Sequence, residues 1–198
     1  MPSRLKVLFA AAVLALAVIL GSVALLWKVS PSATVGEALV GGPFAMTDQN
    51  GKRVTERDFI GRYMLIFFGF TYCPDVCPTE LQVMTAALAE MGEEGKSVQP
   101  VFVSVDPERD TVANVKIYIE NFGGGLIGLT GSPEDVAKMA NAYRVYYQKI
   151  DGPSGKDYTI DHSSIIYLMG PDGKFRKHFT YTTDPKALAE GLRQAMGG

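Results

Sequence analysis

The stretch that decides the fold runs from Tyr63 to Met84 and reads YMLIFFGFTYCPDVCPTELQVM. It opens with a continuous apolar run, Tyr63 to Phe70, whose length is typical of a central buried strand. A short loop with two cysteines, Cys73 and Cys77, follows this run. An amphipathic helical segment begins at Pro78, so the two thiols stand between a buried strand and a helix.

The sequence on both sides of this stretch indicates an α/β fold. Upstream, FAMTDQNGKRV predicts a hairpin that turns at Asn50-Gly51. Downstream, strand-like apolar runs alternate with helical segments, one of them opened by Ser132-Pro133. The chain then ends in a hairpin at Pro171-Asp172-Gly173 and a helix capped by Asp184-Pro185. A thiol pair after a buried strand of such a fold predicts a thioredoxin-like domain.

The overall charge of the chain is nearly balanced. Its 198 residues include 19 basic and 21 acidic side chains, which gives a formal net charge of -2. A nucleic-acid partner normally requires a strongly basic surface, so this balance argues against one. A hydrophobic share of 47% with 20% charged residues is ordinary for a folded domain.

The N-terminus contains a run of 21 residues without a charge, from Val7 to Trp27. A helix of this length spans about 31 Å, close to the thickness of a bilayer core. Arg4 and Lys6 precede the run, and positive charge on this side places the N-terminus in the cytoplasm. We therefore predict a transmembrane anchor. A cleaved signal peptide is the alternative, because Ser22-Val23-Ala24 is a small-x-small site.

These features divide the chain into four parts. We predict a cytoplasmic N-terminus at residues 1–6, the anchor at 7–27, a tether at 28–42 and one thioredoxin-like domain at 43–198. The domain is expected on the periplasmic face of a bacterial inner membrane, an oxidising compartment.

Cys73 and Cys77 are the only two cysteines of the chain. A disulfide that closes so short a loop would constrain little, so a redox couple or part of a metal site is the better interpretation. Proline is favoured at the first helical position, which predicts Pro78 there and Cys77 at or near the N-cap, where the helix dipole lowers a thiol pKa. Two thiolates suit Cu(I), Zn(II) or iron-sulfur chemistry, although a cluster would need four cysteines.

The chain has two histidines, His162 and His178, that could complete a site. His162 precedes the apolar strand Ile165 to Met169, and we expect it in a loop that faces the cysteines. A tight turn at Asp172-Gly173 places His178 opposite Tyr167, about 16 Å along from His162, and a looser turn reduces this to about 10 Å. The two histidines are therefore not expected on one ion. A three-ligand Cys-Cys-His copper site fits better than a four-ligand zinc site.

Three stretches of the sequence resemble the Sco/SenC family of copper-binding assembly factors for cytochrome c oxidase. They read FGFTYCPDVCPTEL, SVDPERDT and DHSSIIYLMGPDGKF, and the resemblance covers the chain from about Phe44 to its C-terminus. It implies a thioredoxin-like fold and copper ligands at Cys73, Cys77 and His162. It also implies a role in assembling the dinuclear copper (CuA) centre, with the copper-bearing oxidase subunit as partner and periplasmic copper chaperones or thiol reductants as further partners.

Two enzyme classes are the rival interpretations. A thiol-disulfide oxidoreductase would use Cys73 and Cys77 without metal to reduce the cysteines of the oxidase subunit, although the thioredoxin family separates its pair by two residues and not three. A peroxiredoxin is suggested by VCPTE, Val76 to Glu80, which resembles the peroxidatic box of that family. Pro74 stands where that box has a threonine, which makes the peroxidase the weaker rival.

Charged residues next to the predicted ligands have two interpretations each. Asp161 precedes His162 and either orients its ring or is simply solvated. SVDPERDT supplies Asp106, Arg109 and Asp110, which either brace the site or cap the helix that follows.

Overall fold

The computed structural model describes residues 40–123, 125–152, 157–181 and 183–197, together with residues 13, 15, 16 and 20. The chain divides into two units, residues 1–38 and 39–198, and the fold reported below is that of the second unit. Within the described ranges, no helix has both the length and the apolar character needed to cross a membrane. The predicted anchor and tether lie outside the described residues, apart from the four isolated positions and residues 40–42.

Nine strands are found in the described part of the chain. They are β1 (Ala45–Asp48), β2 (Arg53–Thr55), β3 (Tyr63–Gly69), β4 (Val98–Ser104), β5 (Ile127–Thr130), β6 (Tyr147–Asp151), β7 (Tyr158–His162), β8 (Ile165–Met169) and β9 (Phe175–Thr180). Seven of them form one mixed sheet in the order β2-β1-β5-β4-β3-β8-β9, and β6 pairs with β7 in a separate two-stranded ribbon.

Strands β3 and β4 form the buried centre of the sheet. All seven residues of β4 and six of the seven in β3 are buried, as expected for strands covered on both faces. The two strands run parallel, and their register pairs Tyr63 with Val98 and Gly69 with Ser104. Parallel strands end at the same edge of a sheet, so the loops that follow β3 and β4 lie side by side. The predicted central strand is confirmed.

Four α-helices connect and cover the strands in the described residues. They are α1 (Val76–Glu90), α2 (Val112–Glu120), α3 (Pro133–Ala142) and α4 (Pro185–Met196). The side chains of Thr111, Ser132 and Asp184 cap the last three helices by accepting a hydrogen bond from a backbone N–H. The caps predicted at Ser132 and Asp184 are confirmed. Short 3-10 helices at Glu56–Phe59 and Glu94–Ser97 complete the connections.

The β6–β7 ribbon differs from the sequence prediction. Tyr143 ends α3 and Arg144 adopts a left-handed φ of 57°, so β6 begins only at Tyr147. His162 was expected in a loop, and this is wrong, because it is the last residue of β7 and lies opposite Tyr147. The residues of β7 form no continuous apolar run, and hydrogen bonding to β6 makes them a strand.

The β8–β9 hairpin has the tight register predicted from the sequence. Tyr167 lies opposite His178, and Gly173 takes the positive φ of 74° that the turn requires. His178 is exposed and stacks on Phe175, with ring centroids 6.3 Å apart.

Glu80 is a buried acid in the first turns of α1. Its side chain is 1% exposed, and its Oε2 atom has no hydrogen-bond partner. Burial disfavours the charged carboxylate and raises the Glu80 pKa to about 7. Ionisation of Glu80 therefore destabilises the folded domain, and this destabilisation grows as the pH rises.

We expect Glu80→Gln to flatten the pH dependence of the free energy of unfolding. The folded state holds the Glu80 proton more tightly than the unfolded chain, whose Glu pKa is about 4.3, so this contribution is complete below about pH 4 and is lost as the pH rises through 7. Urea unfolding should show the variant gaining about 2 kcal/mol more at pH 8 than at pH 5. Glu90→Gln, at an exposed position of the same helix, is the control. Equal gains at both pH values would show that Glu80 titrates normally.

Candidate metal centre

The three residues predicted as ligands converge at the edge of the sheet where β3 and β4 end. Cys73 lies in the loop after β3, Cys77 in the first turn of α1, and His162 at the end of β7. One donor atom from each residue lies within 4.8 Å of the other two. Cys77 Sγ and His162 Nε2 are 3.5 Å apart. Two sulfurs and one imidazole nitrogen therefore surround a single point.

Cys77 is placed by the start of α1, which differs from the sequence prediction. The N-cap is Asp75, so Val76 is the first helical residue and Pro78 the third, instead of the first. Proline is tolerated there because the first N–H groups of a helix have no intrahelical acceptor. Cys77 consequently sits inside the first turn and is fully buried.

Gly69, the last residue of β3, makes room for the Cys77 sulfur. A Cβ atom at this position would lie 2.7 Å from Cys77 Sγ, a separation that real Cβ atoms essentially never show, and a tight 3.0 Å from the Phe67 ring. The absence of a side chain at Gly69 therefore allows the first turn of α1 to lie directly against the sheet.

The pKa values of the two thiols are shifted in opposite directions. The prediction that the pKa of Cys77 is lowered is wrong. Cys73 is half-buried, and its Sγ accepts a hydrogen bond from the backbone N–H of Cys77 at 3.4 Å. The side-chain hydrogen bond from Cys77, with that of His162, lowers the pKa of Cys73. The same hydrogen bond to Cys73, together with burial, raises the pKa of Cys77. The Cys73 sulfur, and not that of Cys77, faces the N–H groups at the start of α1. The helix dipole therefore lowers the pKa of Cys73, an effect that was expected for Cys77.

His162 is held by two aromatic rings and one backbone carbonyl. The rings of Phe67 and Phe70 have centroids 6.1 Å and 5.8 Å from that of His162 and meet it edge to face. Nδ1 lies 3.3 Å from the carbonyl oxygen of Ser163. When Nδ1–H donates to this carbonyl, Nε2 presents its lone pair to the sulfurs. The Ser163 carbonyl takes the role considered for Asp161, whose side chain is exposed.

SVDPERDT forms the polar brace that was one of its two interpretations. The buried Asp110 carboxylate accepts hydrogen bonds from the Thr71 backbone N–H at 3.0 Å and the Thr71 hydroxyl at 2.6 Å. It also accepts one from the Ser104 hydroxyl at 2.6 Å. Asp110 thereby ties the cysteine loop to the end of β4.

Thr71 was not singled out from the sequence as part of the site. The signal that could have found it is its position directly after β3, since a hydroxyl there can reach an acid that follows the neighbouring parallel strand. His178, by contrast, was predicted to lie outside the site, and in the structure it faces solvent on β9.

The amino-acid sequence matches a known family over most of its length. A protein-family model described as SCO1/SenC matches residues 32–197. The chain belongs to the SCO1/SenC family. The resemblance drawn from the sequence is confirmed.

Individual Sco proteins show how close the similarity is. The chain is 47% identical over 166 residues to "Protein SCO1 homolog 1, mitochondrial" of Arabidopsis thaliana, covering 83% of this chain and 49% of that protein. The crystal structure of Arabidopsis thaliana ScoI with copper bound has a TM-score of 0.75 at 45% identity, over 79% of this chain and 97% of that one. Bradyrhizobium japonicum ScoI with copper bound gives 0.73 at 46% identity, over 79% and 99%. The chain spans about half the length of the curated relatives it matches.

These similarities confirm the predicted mixed α/β, thioredoxin-like fold of the domain. The donor set of this chain also suits the metal in the two copper-bound structures, because thiolates favour Cu(I) and imidazole suits copper in either oxidation state.

We expect Gly69→Ala to disrupt the metal centre without unfolding the domain. The added methyl group must push Cys77 Sγ away, which should cost about 1–3 kcal/mol of stability and lower the affinity for Cu(I) by about tenfold or more. Gly128→Ala is the matched control, because its Cβ would lie 2.4 Å from Val115 Cγ1, on β5 and away from the centre. Chelator competition measures the affinity, and an unchanged Cu(I) affinity in Gly69→Ala would contradict this account.

Proposed function

We propose that this protein binds copper through Cys73, Cys77 and His162 and helps to assemble the CuA centre of cytochrome c oxidase. The observation that carries the proposal is the convergence of the three donor atoms within 4.8 Å. Copper-bound relatives with the same fold support the choice of metal. Copper is cargo in this proposal, and the copper-bearing oxidase subunit is the recipient.

The exposure of the three ligands suits a site that loads and releases its metal. Cys77 is fully buried, whereas Cys73 and His162 are half-buried and line the outer side of the centre. A three-ligand site leaves copper open to an incoming thiolate from a partner, which can bind before the donor's own ligands dissociate. A closed four-ligand site would resist such exchange.

We also propose that residues 7–27 anchor the domain to a bacterial inner membrane, with the domain in the periplasm. The length and flanking charges of the apolar run support this orientation. The Arabidopsis thaliana relative quoted by name is a mitochondrial protein. The anchor would raise the local concentration of the domain near a membrane-bound recipient.

Replacing the residues before Lys28 with a cleavable signal peptide is expected to give an exported domain that still binds copper but does not support oxidase assembly at native abundance. The reason is that the anchor contributes proximity and no ligand. Oxidase activity in cells that express the truncated and full-length chains at equal levels measures this. Full activity with the truncated chain would show that the anchor is dispensable.

A thiol-disulfide reductase activity is the second candidate function. The observation in its favour is the asymmetry of the pair, in which a half-exposed thiol of lowered pKa, Cys73, stands beside a buried one, Cys77. The Cys73 thiolate could attack a disulfide of the oxidase subunit, and Cys77 would then displace the reduced partner as Cys73–Cys77 forms a disulfide. The same asymmetry disfavours a peroxidase, because the box cysteine Cys77 is buried and its thiol pKa is raised.

Copper binding is expected to depend on the redox state of the two cysteines. The reduced domain should bind about one copper ion, whereas a Cys73–Cys77 disulfide removes both thiolates and leaves a single imidazole. Metal analysis after gel filtration of reduced and oxidised protein tests this. Full stoichiometry in the oxidised protein would contradict a Cys-Cys-His site.

The two histidines are expected to behave differently when replaced. His162→Ala should lower copper affinity sharply and abolish oxidase maturation, with a greater loss for Cu(II), which prefers imidazole, than for Cu(I), which two thiolates can hold. His178→Ala should leave both affinities nearly unchanged, because its register on β9 keeps it away from the centre. Chelator competition with each oxidation state measures the difference.

The same variants separate the two candidate functions. If His162→Ala kept native copper affinity while Cys77→Ala abolished a metal-free reductase activity, the protein would be a thiol enzyme and the copper proposal would be wrong.

A further inference from the structure

The strand that carries His162 is not part of the central sheet. In the described part of the chain, β7 pairs with β6 alone, whereas the segments that carry Cys73 and Cys77 follow the central strand β3. His162 therefore lies in the two-stranded ribbon, whereas the two cysteines lie next to the central sheet. Apart from the short link from His162 to β8, which pairs with β3, side-chain contacts hold the ribbon in place beside the cysteines.

Arg109 makes the polar part of this contact. Its Nε atom donates to the carboxylate of Asp106, and its Nη1 atom donates to the backbone carbonyl of Tyr158 in β7 at 2.9 Å. The Tyr158 hydroxyl closes the ring by donating to Asp106 Oδ1 at 2.7 Å. Asp106 is 2% exposed, so Arg109 and Tyr158 both donate to a buried carboxylate. One guanidinium thus joins the loop after β4 to the strand of His162.

The same guanidinium also lies against the Tyr158 ring of β7 and against two aromatic rings of the cysteine loop. Its central carbon is 3.6 Å from the ring centroid of Tyr158, 4.8 Å from that of Tyr72 and 5.7 Å from that of Phe70. Tyr72 directly precedes Cys73, and Phe70 meets the His162 ring edge to face. Arg109 therefore touches both the segment that supplies Cys73 and the strand that supplies His162.

We propose that Arg109, held by Asp106 and Tyr158, is a positioning residue that fixes His162 relative to the two cysteines. This inference rests on the proposed copper site. Arginine suits the position because its planar fork donates in two directions while its face stacks on tyrosine, which a lysine ammonium does not reproduce. The ribbon has a second tie, in which Lys149 contacts Glu108 at 2.7 Å, but both side chains are largely exposed. An exposed ion pair contributes little, so Arg109 is the stronger of these two polar ties, which add to the aromatic packing around His162.

Loss of this positioning should act on the two copper oxidation states unequally. Cu(II) prefers imidazole nitrogen and depends on where His162 lies, whereas two thiolates alone can hold Cu(I). A residue that only stabilised the fold would lower both affinities together, or neither. The difference between the two affinities is therefore the signature of positioning.

Arg109→Lys and Tyr158→Phe of the domain test the inference. The first keeps the charge and removes the fork, and the second keeps the ring and removes the hydroxyl that contacts Asp106. Arg176→Lys is the matched control, because Arg176 pairs with Asp172 at 2.9 Å on the β8–β9 hairpin. Cu(I) and Cu(II) affinities, the imidazole nitrogen signal in the Cu(II) electron paramagnetic resonance spectrum, and the melting temperature of the metal-free protein are measured for each.

We expect Arg109→Lys to lower Cu(II) affinity by about tenfold or more, weaken the nitrogen signal and change Cu(I) affinity much less. Tyr158→Phe should lower Cu(II) affinity more than Cu(I) affinity as well, but less strongly. This variant provides the test if Arg109→Lys does not fold. Equal losses for both oxidation states, or a lower melting temperature with an unchanged Cu(II) spectrum, would overturn the inference. Wild-type protein that binds no copper would instead refute the proposed function.

Discussion

The close contact between the Cys77 sulfur and Gly69 is the constraint on which the site depends. It brings the first turn of α1 directly against the end of β3, and it buries one thiol completely. The Cys77 N–H then holds the Cys73 sulfur in front of the helix, which favours the Cys73 thiolate. The burial of Cys77 and the opposite pKa shifts of the two thiols follow from this packing arrangement.

The ligands of the centre come from two separate pieces of secondary structure, the central sheet with α1 and the β6–β7 ribbon. The cysteine half belongs to the central sheet, where the parallel pairing of β3 with β4 lets Asp110 hold Thr71. The histidine half is a two-stranded ribbon that side-chain contacts hold in place. Such a division would suit the proposed transfer of copper, because coordination could change at His162 while the cysteine half keeps its structure.

The sequence predicted the elements whose causes are local. The apolar run of β3, the caps at Ser132 and Asp184 and the turn after β8 each depend on neighbouring residues, and all agree with the structure. The sequence did not predict that His162 ends a strand, because that strand is defined only by its pairing with β6. The order of the thiol acidities was also wrong, because it depends on which sulfur faces the start of α1. That placement is set by packing against Gly69, which no local pattern records.

X-ray absorption spectroscopy of the reduced domain loaded with Cu(I) tests the central claim most directly, because it counts the atoms bound to the metal. The account predicts two sulfur neighbours and one nitrogen neighbour with the multiple-scattering pattern of imidazole, and the loss of that nitrogen in His162→Ala. A spectrum without sulfur, or a wild-type spectrum identical to that of His162→Ala, would contradict a copper centre formed by Cys73, Cys77 and His162.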